Sequence, residues 1–150
     1  MMMKRIFYIF AAAAVLFLAA SCQKEADRMV AKLAGEWHYT AEENGVTEDI
    51  WVSFSEDGTF EMYQKIGDGP YWHSKGEYTL DAETKVLSGV YSDRYPWKYS
   101  YKVSISDKTL VMAAVELENY VVTYDKAEIP VEVRQKSLPL TKSESVERYL

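Results

Sequence analysis

Trp97-Lys98-Tyr99-Ser100-Tyr101-Lys102-Val103-Ser104-Ile105-Ser106 is the stretch that decides the fold. Trp97, Tyr99, Tyr101, Val103 and Ile105 alternate with Lys98, Ser100, Lys102, Ser104 and Ser106, a period of two that puts the large apolar side chains on one face of a strand and the small or charged ones on the other. A strand buried on one face and wet on the other belongs to an antiparallel sheet. The same period runs through Ile50, Val52 and Phe54, through Phe60, Met62 and Ile66, and through Leu110, Met112 and Ala114.

Working outward, the pattern predicts eight strands, at about 36–42, 48–55, 59–66, 71–80, 85–91, 97–106, 109–116 and 120–127. The links between them carry turn chemistry: Glu56-Asp57-Gly58, Gly67-Asp68-Gly69-Pro70, Asp81 to Thr84, Ser106-Asp107-Lys108 and Leu117-Glu118-Asn119. None is long enough to hold a crossover helix, so the strands form an up-and-down meander, and closing it into a barrel removes two exposed edges. The expected class is all-β, an eight-stranded antiparallel up-and-down barrel preceded by a short helix over 24–34, where Met29, Val30 and Leu33 share one side. Past Glu128 the pattern decays. Ile129-Pro130-Val131-Glu132-Val133 reads as a last edge strand, where Pro is tolerated, and residues 141–150 read as a loose tail.

The chain opens with Lys4 and Arg5 in an otherwise uncharged start, then runs from Ile6 to Ala20 without a charge. That is the n-region and h-region of an export signal, and the apolar run is short of the roughly 20 residues of a permanent span. Leu18-Ala19-Ala20-Ser21-Cys22 follows, and it resembles the lipobox of lipoprotein signal peptidase, with Ala19 where the family usually carries Leu. The resemblance implies cleavage after Ser21 and lipidation of Cys22, first by a diacylglyceryl thioether and then by an acyl group on the freed amine. Cys22 is the single cysteine, so no internal disulfide framework exists to compete for it. Two or more acyl chains, palmitate in type, make a firm tether at ~0.8 kcal/mol per buried CH₂. No Asp directly follows Cys22, and in Gram-negative lipoproteins similar to this one that goes with the outer membrane, on its periplasmic or surface-exposed side.

The expected layout is therefore a signal peptide at 1–21, a lipidated tether and short helix at 22–32, a barrel at 33–130, and an edge strand with loose tail at 131–150. Losing residues 1–21 takes away two basic residues and no acid, so the net charge falls from −6 to −8. An acidic chain argues against nucleic acid, which requires clustered Lys and Arg to displace counterions. The 14% aromatic content, mostly mid-chain Tyr and Trp, suits strands better than a helical bundle.

Leu33-Ala34-Gly35-Glu36-Trp37, directly after the helix, resembles the start of lipocalins and of the small lipocalin-like lipoproteins of Gram-negative gut anaerobes. Asp57-Gly58-Thr59-Phe60, Gly76-Glu77-Tyr78 and the closing segment Tyr124 to Pro130 extend the similarity over residues 33 to 130. The resemblance implies that Trp37 plugs one end of the barrel, with Arg134 available to cover it, and that the barrel holds an apolar or aromatic small molecule. Fold alone does not settle function.

The residues themselves leave the choice open. His38 and His73 are the only histidines and lack the further ligands at tight spacing that a metal needs. Glu42-Glu43 and Glu48-Asp49 flank Asn44-Gly45 and read as a solubilising turn rather than a catalytic cleft. No nucleophile elbow, Cys–His pair or phosphate-binding glycine loop marks an enzyme, and no cofactor is expected. Tyr39, Trp72, Tyr78, Tyr91, Trp97, Tyr99 and Tyr101 are the inward aromatics, either ligand contacts or packing that fills a small barrel. The loop Ser92-Asp93-Arg94-Tyr95-Pro96, with Asp93, Arg94 and Tyr95, is a second surface, either for protein contact or a plain connector. Two functions follow: small-molecule binding in the barrel mouth, or an envelope-protein interaction such as inhibition of a cell-wall hydrolase.

Overall fold

The computed structural model describes residues 23–140 and 146–150. The segment expected to be a signal peptide, residues 1–21, and Cys22 lie outside the described residues. Residues 23–33 are helical (α1), and eight strands follow: β1 Gly35–Glu43, β2 Val46–Phe54, β3 Thr59–Ile66, β4 Trp72–Asp81, β5 Val86–Tyr91, β6 Tyr101–Ile105, β7 Thr109–Ala114 and β8 Val121–Lys126. Each pairs antiparallel with the next, and β8 returns to β1 through Trp37↔Lys126 and His38↔Asp125, so the barrel is closed. Asn44 and Gly45 both take positive φ, 54° and 78°, the two-residue turn whose twist matches that of the β1–β2 hairpin.

β6 is shorter than its sequence pattern. Trp97 to Ser100 keep the in-out alternation, but only Trp97 holds a main-chain bond to β5, from its N–H to the Gly89 carbonyl at 2.9 Å. Pro96 cannot donate, and the Ser100 N–H goes to the Glu116 carboxylate at 2.9 Å instead of to a ladder partner. The core runs continuously through the barrel, from Leu33, Trp37, Phe54 and Phe60 at one end to Tyr91 and Tyr101 towards the other.

The Leu33-x-Gly35-x-Trp37 motif has a mechanical reading. Gly35 turns the chain from α1 into β1 at φ +130°, and a Cβ there would stand 2.6 Å from Lys126 Nζ. Trp37 is fully buried and its Nε1 donates to the Leu33 carbonyl at 2.8 Å, fixing the helix end on the barrel floor. The cation over Trp37 is Lys126, 4.6 Å from the ring centroid, not Arg134. Arg134 lies outside the barrel, 5.6 Å from the Tyr63 ring and paired with Glu36 and Glu61.

The expected edge strand after Glu128 is a helix: α2, Val131–Lys136, begins behind Pro130 and is followed by β9, Leu138–Pro139, which adds in parallel to β4. Pro130 pre-sets its own φ at −58°, and Glu132 in the first turn with Arg134 and Lys136 in the last suit the helix dipole. Val133 and Ile129 bury against Trp51 and Tyr63 in a second small cluster on the outer face of β2 and β3. The loose tail is corrected as well, in that Leu150 is buried in the barrel core; residues 141–145 lie outside the described residues.

Candidate binding site at the open end of the barrel

The end opposite Trp37 is rimmed by the β1–β2, β3–β4, β5–β6 and β7–β8 links. Segment 146–150 reaches across it. On β3, Phe60, Met62 and Gln64 share the inward face, so the last of them places a primary amide, 1% exposed, at the top of an apolar wall. Its Nε2 donates to the Glu147 carbonyl at 2.8 Å and its Oε1 accepts the Tyr149 N–H at 3.0 Å. One side chain thus pairs with the segment's main chain on both its donor and acceptor sides. Tyr91 Oη donates to the Leu150 carbonyl at 2.8 Å.

The side chains of the segment are also engaged. Arg148 meets Asp93 through both guanidinium arms, at 3.1 and 2.6 Å, and lies 4.3 Å from the Tyr91 ring centroid. Lys98 Nζ is 2.9 Å from Glu147 Oε1 in an exposed pair of little energetic weight. Leu150 is 2% exposed. Beside the segment, Glu48, Ile66, Tyr99 and Tyr120 wall a cleft of about 400 Å³.

Beneath it lies a bowl of tyrosines. Tyr39 sits 5.8 Å from Tyr124 and 5.9 Å from Tyr149, and Tyr99 packs against Tyr101 and Tyr120. Burial, reinforced by neighbouring tyrosines, holds the Tyr101 and Tyr124 hydroxyls well above the usual tyrosine range, and burial holds Tyr91 there. Burial, then Tyr124 and a hydrogen bond to Tyr120, does the same to Tyr149. Tyr124 Oη and Trp97 Nε1 are buried without a hydrogen-bond partner among the described residues. An orphaned buried donor costs about 1–3 kcal/mol, so both groups, like the inward Ser74 hydroxyl, stand to gain from a polar ligand atom.

Of the seven inward aromatics, Tyr78, Tyr91, Trp97 and Tyr101 belong to the buried core, and Tyr39 and Tyr99 pack on it half-buried. Trp72 shares their strand parity but stays outside that core, opposite Gln64 at the rim. Most of the set fills the barrel, as Trp97 shows in standing edge-on to Phe60 at 5.1 Å and to Tyr101 at 6.2 Å. The sequence reading passed over Gln64, Tyr120, Tyr124, Arg148 and Tyr149. Gln64 was recoverable, being a polar residue at an inward position of an alternating strand. The 146–150 segment was not, because nothing local says where a five-residue stretch docks.

The 92–96 loop divides. Asp93 turns in to Arg148, whereas Arg94, at φ 73°, and Tyr95 are exposed. The acid pairs divide too: Glu42 and Glu43 are exposed at the end of β1, but Asp49 lies within β2, where it pairs with His38 and accepts from Tyr71. Burial first, then Asp49, pushes the Tyr71 hydroxyl up to about 12. His38 stacks on Trp51 at 3.8 Å and His73 on Tyr63 at 4.6 Å, both on the outer face of the barrel. Burial lowers the pKa of His73, although Glu61 stands 3.3 Å away. Among the described residues no three His, Cys, Asp or Glu side chains gather as a metal site.

The pattern of the lipocalin-like domain matches residues 33–112, more than half of the chain. The chain belongs to the lipocalin-like family. This lipocalin-like protein is also similar to a solved structure, the NMR structure of a protein from Bacteroides uniformis ATCC 8492, with a TM-score of 0.52 at 15% identity over 65% of this chain and 90% of that one. At that identity the likeness speaks for the fold alone. No curated protein matches its sequence. Lipocalin-like barrels point towards small-molecule binding as a class, and the matched region covers the Gly35–Trp37 floor and the Gln64 wall of the mouth.

Proposed function

We propose that this lipocalin-like protein is a lipid-anchored binding protein of the bacterial cell envelope that takes a small amphipathic or aromatic molecule at the open end of its barrel. The observation that carries the reading is the polar set inside the aromatic bowl: Gln64 at the rim, with Tyr124 Oη and Trp97 Nε1 buried and unpaired. Rings supply apolar area and the few polar groups fix orientation, which is the usual composition of a small-molecule site. The ligand enters beside or in place of segment 146–150, through the cleft walled by Tyr99 and Tyr120.

Titration of the full mature chain with a panel of lipids, bile acids and glycans, read by tryptophan fluorescence, is the test. Saturable quenching by at least one class, weakened about tenfold in Tyr124→Phe, is the expected result. A panel that leaves the fluorescence unchanged overturns the reading. The hydrolase-inhibitor alternative has less support, because the Asp93 carboxylate is turned towards Arg148.

The anchor is proposed on sequence grounds: acyl chains on Cys22 hold the barrel at the outer membrane, and the segment 23–33 places the Trp37 end nearest the attachment point. Mass spectrometry of the mature N-terminus is expected to find a diacylglyceryl-modified Cys22. An unmodified mature N-terminus upstream or downstream of Cys22, an unmodified Cys22 thiol, or a wild-type protein that fractionates like Cys22→Ser, refutes the anchor.

A further inference from the structure

We infer that the open end of the barrel is a peptide-recognition site, whose in-chain occupant is segment 146–150 and whose partner in trans is an extended peptide of the pattern acidic, Arg, aromatic, aliphatic. This goes beyond small-molecule binding; it shares Gln64 with that reading and otherwise stands on the contacts made to segment 146–150. The contacts to the segment fall into two kinds, as they do wherever a protein reads an extended chain.

One kind ignores side-chain identity. Gln64 gives a hydrogen bond to the carbonyl of residue 147 and takes one from the N–H of residue 149, two main-chain groups of an extended stretch met by one buried amide. Tyr91 Oη continues the series at the carbonyl of residue 150. A purely apolar mouth would bury a lipid tail without such a ladder. Gln64 is costly to bury unpaired, and its amide matches the spacing of a peptide main chain.

The other kind reads side chains position by position. Lys98 meets the acid at 147; Asp93, both oxygens engaged, and the Tyr91 ring meet the arginine at 148. Tyr39 and Tyr120 meet the aromatic at 149, and the core closes over the aliphatic at 150. The planar fork of Arg148 on Asp93 is the most selective of these, since Lys cannot reproduce it. None of these contacts depends on the occupant being covalently part of the barrel. An in-chain segment is simply present at an effective concentration on the order of millimolar, which a foreign peptide must match or a partner must overcome by other contacts.

The test uses the full mature chain and a fluorescent, C-terminally amidated peptide Val-Glu-Arg-Tyr-Leu, read by anisotropy. In the release variant Arg148→Ala/Leu150→Asp the peptide is expected to bind about tenfold or more tighter than to the wild type, which its own segment occupies. A peptide with Glu in place of Arg is expected to lose about tenfold. That loss is expected to reverse in a release variant that also carries Asp93→Arg. A release variant with unchanged circular dichroism that binds neither peptide overturns the inference. Should the release variant not fold, the wild type serves: millimolar peptide is expected to shift the Gln64 side-chain amide resonances, and their constancy overturns the proposal. A wild-type dimer that the peptide fails to dissociate assigns the segment to exchange between copies, and overturns the partner in trans. Peptide binding without any small-molecule quenching refutes the earlier reading alone, and quenching without peptide binding refutes only this one.

Discussion

Gly89→Ala is a methyl group added where the barrel has no room for it. A Cβ on Gly89 would stand 2.3 Å from Trp97 Cε2, 2.6 Å from Cζ2 and 2.7 Å from Nε1. Carbon atoms prefer about 3.5–4.0 Å, so the overlap exceeds ~1 Å. The indole cannot retreat, because Phe60 stands edge-on to it at 5.1 Å and Tyr101 at 6.2 Å, both themselves buried. Overpacking of this kind costs about 1–3 kcal/mol, and the lost chain freedom of glycine returns about 0.5–1 kcal/mol. An overlap of this size puts the overpacking in the upper part of its range, about 2–3 kcal/mol, so the expected net loss is about 1–2.5 kcal/mol. Urea denaturation followed by far-UV circular dichroism measures it as a lower midpoint with an unchanged slope. Trp97→Leu removes the colliding atoms, so the double variant Gly89→Ala/Trp97→Leu is expected to be more stable than the sum of the single losses, by about 1 kcal/mol. A neutral Gly89→Ala, or single effects that add to within about 0.5 kcal/mol in the double variant, refutes the packing described for this wall.

Tyr91, Tyr101 and Tyr124 have folded-state pKa values raised by burial, so the unfolded chain releases their protons first as pH climbs. Their contribution is whole below pH 10 and declines above it, by about 1.4 kcal/mol each at pH 11 or about 4 kcal/mol together. Absorbance at 295 nm is expected to show these tyrosines ionising only as the circular dichroism collapses; titration near pH 10 in an intact fold counts against the buried bowl. Arg134→Ala is expected to speed hydrogen exchange across Val131–Lys136, since it frees α2 from Glu36 and Glu61, while costing the barrel under ~1 kcal/mol. A large fall in the barrel's own midpoint would show that Arg134 bears on the core after all.

The strands were legible because their side-chain period is local. Ile50, Val52 and Phe54, or Phe60, Met62 and Gln64, declare a buried face through neighbours two residues apart, whatever the rest of the chain does. The Asn44-Gly45 turn was equally local, since its two positive φ values follow from residue type. Trp97 to Ser100 show the limit: alternation survived, but the ladder did not, because Pro96 and the Glu116 carboxylate changed where the hydrogen bonds go. The segment after Glu128 failed for a related reason. Its few apolar residues, Ile129, Val131 and Val133, fit a strand period, and only the surface of Trp51 and Tyr63 made burial of Val133 on a helix the better solution.

The sequence by itself thus determined an all-β meander, its inward faces, the Gly35–Trp37 floor and an acidic surface, all of which depend on residues close together in the chain. Only the tertiary structure decided that Lys126 and not Arg134 covers Trp37, that Asp93 belongs to Arg148, and that Gln64 meets residues 147 and 149. Those partners lie 55 to 89 positions apart in the chain. Such pairs form only once the barrel has closed, when its open end offers an unpaired amide and a set of tyrosines that a distant, otherwise featureless segment can cover.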